Sequence, residues 1–377
     1  MVPNVLEHKF GRTRFTVGIE EELMICDAGT LELAQGIERI LDYLPEEPLP
    51  GMVKPELMQS VLEVATHPCG SVAEAGEQLR SLRRIVREVA AKQGLAIGAA
   101  GTHPNALYED QLIVERPRYR ELAEELGWIA QRELIFGTHV HVGIDDADKA
   151  IYVADMMRGY LPLLLGMSSN SPLWRGMTTG MMSARTPVFR SFPRVGIPPY
   201  YGTWENYSHR VEQMMRGGAI PDYTYLWWDV RPHPNLGTVE LRVFDQQTRV
   251  ELTIGFAAFA QALAHRLVSE YEDGAPSVDY PHELIDDNKV RAALVGIEGK
   301  LIDFDEGIEV PGEEMALGVI EDLRENAHQL GCEDELARLT DLVEEGTGAR
   351  RQLNWLQDHG EIGGLMEEIV AATDPDA

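Results

Sequence analysis

Phe15-Thr16-Val17-Gly18-Ile19-Glu20-Glu21-Glu22-Leu23-Met24-Ile25 is the stretch from which the fold can be read. Phe15, Val17, Ile19, Leu23 and Ile25 fall on one side of a two-residue period, and Thr16, Gly18, Glu20, Glu22 and Met24 on the other. That alternation predicts a strand with one face in a core. Glu20 and Glu22 then point the same way, close enough to share a hard divalent cation such as Mg²⁺. Three adjacent carboxylates otherwise repel one another unless they are solvated or bound to a cation. Glu21 faces the apolar side, where either it reaches an Arg or the strand ends. A run of Glu on its own reads as an exposed acidic edge strand. The apolar partner face argues for a sheet interior instead.

Working outward, three further segments carry chemistry. Gly137-Thr138-His139-Val140-His141-Val142-Gly143 reads as a strand with both histidines on the face opposite Val140 and Val142. Two imidazoles at that spacing can ligate a metal or donate hydrogen bonds to phosphate. In Gly237 to Asp245, Thr238, Glu240 and Arg242 share one face, and Val239, Leu241 and Val243 the other. Glu240 and Arg242 are either a cross-strand ion pair or a metal ligand beside a phosphoryl-neutralising guanidinium. In Pro55 to Thr66, Glu63 interrupts an apolar run and needs a partner if buried. Its parity differs from that of Glu56, so both serve one face only through a bulge or a mixed segment.

Between these segments, Ser71 with Glu74 three residues on makes a capping box for a helix stopped by Gly94. Leu95 to Ala100 reads as a strand, and Asp146 or Asp148 caps a helix running toward Gly166. Ser168 to Tyr201 is a long loop region containing Pro and Arg, of a length that is commonly functional. Val250 to Glu270 is a long amphipathic helix. Past Gly274 a Pro- and Asp-rich joint leads into acidic helical segments, which places a boundary near 275. The expected fold class is α+β with a mainly antiparallel sheet. The expected division is one domain over residues 1–275, where the candidate site residues lie, and a helical C-terminal region over 276–377 packed on it.

Charge narrows the partners. Sixty-two acidic against thirty-three basic residues give a net charge of −29, which disfavours nucleic acid and anionic membrane as partners. Three cysteines at unrelated spacing suit a reducing compartment. With no signal peptide and no apolar run long enough to span a bilayer, a cytoplasmic location is expected. No phosphate-binding Gly-rich loop of the Walker or Rossmann kind is present, so any nucleotide is held by other means.

Taken together, these motifs resemble the carboxylate–amine ligase family related to glutamate–cysteine ligase, within the glutamine-synthetase-like fold. Thr16 to Leu23, Gly137 to Gly143, Ser169 to Gly176, Leu226 to His233, Glu240 to Arg242 and Gly346 to Ala349 carry the resemblance. It implies a curved antiparallel sheet forming a funnel, with ATP and Mg²⁺ (or Mn²⁺) at one end and amino acids at the other. By motif, Glu20, Glu22, Glu63 and Glu240 are implied metal ligands, with Glu56 a further contributor. His139 is an implied metal or phosphate contact and Arg242 the phosphate-binding arginine. His141, Arg231 and His233 are implied members of the site without an assigned role. The implied reaction forms a γ-glutamyl amide from small-molecule substrates, glutamate and cysteine or another amine, through an acyl phosphate. Whether the chain forms a homo-oligomer is left open. Two rival readings remain at this point: a metallohydrolase using His139 and His141, and a non-catalytic nucleotide-binding relative.

Overall fold

The computed structural model describes residues 6–376. Among them, seven strands form one open sheet: β1 (Val17–Asp27), β2 (Gly51–Pro55), β3 (Val61–Thr66), β4 (Leu95–Gly98), β5 (Gly137–Gly143), β6 (Val230–His233) and β7 (Thr238–Asp245). Their order is β6-β7-β5-β1-β3-β2, every pair antiparallel, with β4 joined to β1. β5 and β4 share one edge of the long strand β1, taking Val17–Glu21 and Met24–Asp27 respectively. Glu22 and Leu23 fall in the gap between them.

The principal helices are α1 (Val72–Lys92), α2 (Pro117–Leu126), α3 (Ala147–Met157), α4 (Leu161–Ser168), α5 (Val250–Glu272), α6 (His282–Val295), α7 (Glu333–Glu345) and α8 (Ile362–Ala372). Ser71 caps α1, accepting from Glu74 N at 3.2 Å, while Glu74 accepts from Gly70 N at 2.8 Å. Asp146 caps α3 through Asp148 N and Lys149 N. The helix expected to run on to Gly166 is interrupted by a tighter turn at Arg158–Tyr160 before α4 begins with Pro162 in its first turn, a position where a missing N–H costs nothing.

The alternation of β1 sorts the sheet into two faces. Ile19, Leu23, Leu62, Val64, Val140 and Val142 are buried beneath α1 and α5, and Val239 and Leu241 beneath α3 and α4. α5 is apolar nearly all round because it is enclosed, with 83% of its most apolar stretch buried inside the protein. The core continues past residue 275: Ile285 and Ala292 of α6 and Leu336 and Leu339 of α7 belong to the same apolar cluster, with α6 against α4 and α7 against α5. At the far end of β1 the other face is closed too, where Met24 and Cys26 meet Leu365, Met366 and Ile369 of α8.

Glu21 shares the helix-covered face and does reach an arginine. Arg83 of α1 grips it with two hydrogen bonds of 2.7 and 2.6 Å, and neither side chain is exposed to solvent. Thr253 of α5 and Gln246 add bonds of 2.6 and 2.9 Å. Arg83 spends its remaining donors on the carbonyls of Gln247, Thr248 and Thr373. Breaking a buried pair from one side strands the other charge, at a cost of about 3–5 kcal/mol. Arg83→Met is therefore expected to lower stability by about that amount in denaturant unfolding, whereas the double change Glu21→Leu with Arg83→Met recovers much of the loss.

Candidate active site

The polar side chains gather on the opposite face of the sheet, and strand register places them. Across neighbouring strands, Arg231 stands beside Glu240, Glu240 beside His141, and His139 beside Glu20. Glu22 stands beside Glu63, and Glu63 beside Lys54. The parity conflict between Glu56 and Glu63 is resolved by a hairpin. β2 ends at Pro55, a connection over Glu56–Ser60 turns the chain, and β3 begins at Val61, so both carboxylates line one chamber.

Glu20, His141 and Glu240 form the tightest group, each offering a ligand atom within 4.8 Å of the others. His141 Nδ1 is 3.1 Å from Thr238 Oγ1, which leaves Nε2 facing the two carboxylates. Nε2 lies 3.7 Å from Glu20 and 3.8 Å from Glu240, beyond hydrogen-bond length, and is buried without a partner. Glu240 is clasped by Arg231 at 2.7 Å and by Arg242. Glu20 contacts His139 Nδ1 at 3.1 Å, and Arg242 approaches the same atom at 3.4 Å. Burial alone would raise the pKa of Glu20 and Glu240. The His139 contact and the nearby His141 imidazole at Glu20, and the charges of Arg231 and Arg242 beside Glu240, outweigh it and hold both well below the usual carboxylate range.

The other carboxylates behave oppositely. Burial, then the charge of Glu20, pushes Glu63 up to about 8 although Lys54 donates to it at 2.7 Å. Burial and the charge of Glu22 push Glu56 to about 7. Glu133 is raised to about 8 by burial, against the pull of Arg185, and its Oε2 is buried without a partner. Glu22 accepts from Gly137 N at 2.5 Å. For the imidazoles, burial and Arg242 lower His139, burial lowers His233 to about 4, and for His141 the carboxylates overcome burial and raise it.

Two chambers open above this floor. One of about 320 Å³ is lined by Glu20, Lys54, Glu56, Glu63, Arg231 and His233. The other, about 100 Å³, is lined by Glu22, Glu133 and Arg185. Both include Glu56, His139 and Arg242. Glu240 and His141 lie beneath, 1% and 6% exposed. The structure thus brings together all the expected residues: Glu20, Glu22, Glu56, Glu63, His139, His141, Arg231, His233, Glu240 and Arg242. It adds Lys54, Glu133 and Arg185. Lys54 is the partner that a buried Glu63 demands, hidden by the unread hairpin. Arg185 comes from the long loop after Ser168, whose length marked it as functional without singling out a residue.

Arg185 owes its place to a glycine. A Cβ on Gly137 would lie 2.4 Å from Arg185 Nη2 and 3.0 Å from its central carbon. Gly137→Ala must therefore expel the guanidinium and disturb the N–H that holds Glu22. Turnover is expected to fall by about a hundredfold or more, with a circular-dichroism spectrum matching that of the unmodified protein.

Comparison with known proteins places this geometry. The model of "Glutamate-cysteine ligase family 2 (GCS2)" matches residues 16–368. A protein of Rubrobacter xylanophilus provisionally named glutamate–cysteine ligase 2-1 is 42% identical over 371 residues, 98% of each chain. One of Sorangium cellulosum, provisionally named glutamate–cysteine ligase 2, is 39% identical over 341 residues, covering 90% of this chain and 91% of its own. Among solved structures, the Francisella tularensis glutamate–cysteine ligase in complex with AMP superposes with a TM-score of 0.69 at 15% identity, over 97% of this chain and 90% of that one. A bifunctional glutathione synthetase from Pasteurella multocida gives 0.66 at 15% identity, over 96% of this chain and 53% of that one. With its antiparallel sheet, its row of carboxylates and a family match across most of its length, the chain belongs to glutamate–cysteine ligase family 2.

Proposed function

We propose that this protein is an ATP-dependent carboxylate–amine ligase that joins the γ-carboxylate of glutamate to an amine. One observation carries the reading: five strands and a hairpin loop, far apart in sequence, aim carboxylates, imidazoles and guanidinium groups into connected chambers on a single sheet face. Family membership supports it, as does a structural neighbour that binds AMP.

The residues fit a hard divalent cation. Glu20, Glu240 and the partnerless Nε2 of His141 surround one point, and Glu22, Glu56 and Glu63 crowd the chambers with carboxyl groups. Oxygen-rich donor sets of this kind suit Mg²⁺ or Mn²⁺ over zinc. When bound, such cations offset the repulsion among ATP, the attacking carboxylate and the departing ADP.

The chain's own residues do the rest. Arg242, held by Glu240 on the floor, faces both chambers and stands where charge builds on a transferring phosphoryl group. Arg231 fixes Glu240 from the other side and is itself anchored to the carbonyls of Thr224 and Leu226 at 3.0 and 2.9 Å. A γ-carboxylate oxygen of glutamate bonds to the terminal phosphorus of ATP as the bond to the bridging oxygen breaks, giving an acyl phosphate and ADP. The amine nitrogen then bonds to the γ-carbon, the carbon–oxygen bond to phosphate breaks, and phosphate leaves with the electron pair. Of the protons lost by the ammonium, one goes to phosphate and one to solvent. A cytoplasmic location accords with the free state of Cys26, Cys69 and Cys332, and cysteine is the acceptor that the family's name suggests.

Purified protein given Mg-ATP, glutamate and a panel of amines should release ADP and yield a product of γ-glutamyl amide mass; ADP release without glutamate, or none with any amine, would reject the reading. Glu22→Gln and Arg242→Ala should each lower kcat by about 10²–10³ while leaving the unfolding transition near that of the parent.

Metal loading should also move protons. Glu56 and Glu63, raised to about 7 and about 8, are substantially protonated at neutral pH and must ionise to accept a cation. Affinity for Mn²⁺ should rise with pH through that interval. Calorimetry at pH ~7 in buffers of different ionisation enthalpy should show proton release on Mn²⁺ binding, vanishing by pH ~9.5.

A further inference from the structure

A cavity larger than either acidic chamber lies beside them. It holds about 570 Å³ and lies behind Arg185 and Phe189, between the 181–199 loop, α6, Trp228 and Val243. Met181, Phe189, Ile197, Pro199, Val243 and Ala293 give it a mainly apolar wall. Its two carboxylates are already matched: Asp229 is paired with Lys289, and Asp286 with Arg190 at 2.8 Å.

The cation left over is Arg185. It is 4% exposed, its Nη atoms make long contacts of 3.4 and 3.3 Å with the carbonyls of Val243 and Arg242, and its Nε is buried with no partner. Glu133 and Asp245 lie within its electrostatic reach, but Asp245 is engaged by Ser171 at 2.6 Å, Ser183 at 2.9 Å and Asn170 N at 2.9 Å. A guanidinium that lines an apolar cavity and has only long hydrogen bonds of its own is matched by a ligand with one carboxylate and an apolar body.

Arg185 and Phe189 also line the small chamber that contains Glu22, Glu133 and Arg242. They form the partition between the two spaces, and Val243 of the cavity directly follows Arg242. A molecule seated beyond the partition would present its polar end where the phosphoryl group is handled.

We propose that this cavity is the acceptor site, and that the acceptor is an α-amino acid with a bulky apolar side chain whose carboxylate pairs with Arg185. This rests on the ligase reading and sharpens it. Cysteine has only a thiol beyond Cβ, so it would leave most of the apolar wall without contacts. Each methylene that fills such a wall is worth roughly 10-fold or more in discrimination.

The experiment uses the whole protein with Mg-ATP and glutamate. Hydroxylamine, which needs no side-chain pocket, reads the activation half as γ-glutamyl hydroxamate. Phenylalanine, leucine, cysteine, alanine and phenethylamine read the acceptor half as ADP release and product mass. The expected result is a kcat/KM for leucine or phenylalanine at least ~10-fold above that for cysteine and alanine, with phenethylamine, which lacks the carboxylate, well below phenylalanine. Val290, 39% exposed, lines the cavity. Val290→Trp should lower the ratio of bulky-acceptor rate to hydroxylamine rate by ~10-fold. Hydroxamate formation with cysteine or alanine preferred, or with an unchanged ratio in Val290→Trp, overturns the acceptor assignment and leaves the ligase reading standing. Absence of hydroxamate and of any amide product overturns both.

Discussion

The site depends on a charge buried on the wrong side of a strand. Three consecutive glutamates on β1 cannot all face the chamber, because the two-residue period sends the middle one into the core. Glu21 is tolerated there because Arg83 meets it with both arms of its guanidinium, and because Thr253 and Gln246 complete its hydrogen bonds. The cluster ties α1, α5, the segment after β7 and the carbonyl of Thr373 to one point. It also locks register. A slip of one residue would move Glu20 and Glu22 into the core and Glu21 into the chamber, and no second Arg83 waits for them.

With register fixed, the carboxylates divide into two electrostatic classes. Glu20 and Glu240 are stabilised as anions by imidazoles and guanidinium groups that belong to the protein. Glu56, Glu63 and Glu133 are buried and crowded, and their affinity for protons is raised. The first class forms a finished foundation under Arg242. The second is a set of buried acids lacking sufficient positive partners, a local violation of satisfied burial of the kind that concentrates at functional sites.

Much of this was legible in the sequence wherever the information was local. The alternation of β1 separated Glu20 and Glu22 from Glu21, the Ser71 and Glu74 pair located the start of α1, and the spacing of His139 and His141 put both on one face. The conflicting parity of Glu56 and Glu63 announced an irregularity there, and the hairpin is that irregularity. What stayed hidden depends on tertiary approach. Lys54 meets Glu63 only once the hairpin closes, and Arg185 reaches the chamber from a loop whose path no periodicity encodes. The turn at Arg158–Tyr160, by contrast, has a local signal in Gly159 and Pro162, both unfavourable inside a helix.

A net charge of −29 would by itself predict a molecule that repels ATP and glutamate, the proposed substrates. The structure shows why that sum is a poor guide to a site. Exposed charges are screened over about 8 Å at physiological salt, and many acidic residues here lie on outer helices such as α7, where Glu333 pairs with Arg324 and Glu345 with Arg249. Beside their carboxylates the chambers contain Lys54, Arg185, Arg231 and Arg242 within a low-dielectric surround, where a charge acts far more strongly than at the surface. Acidity of the whole and affinity for anions at the centre are therefore compatible, because each is set by neighbours within its own screening distance.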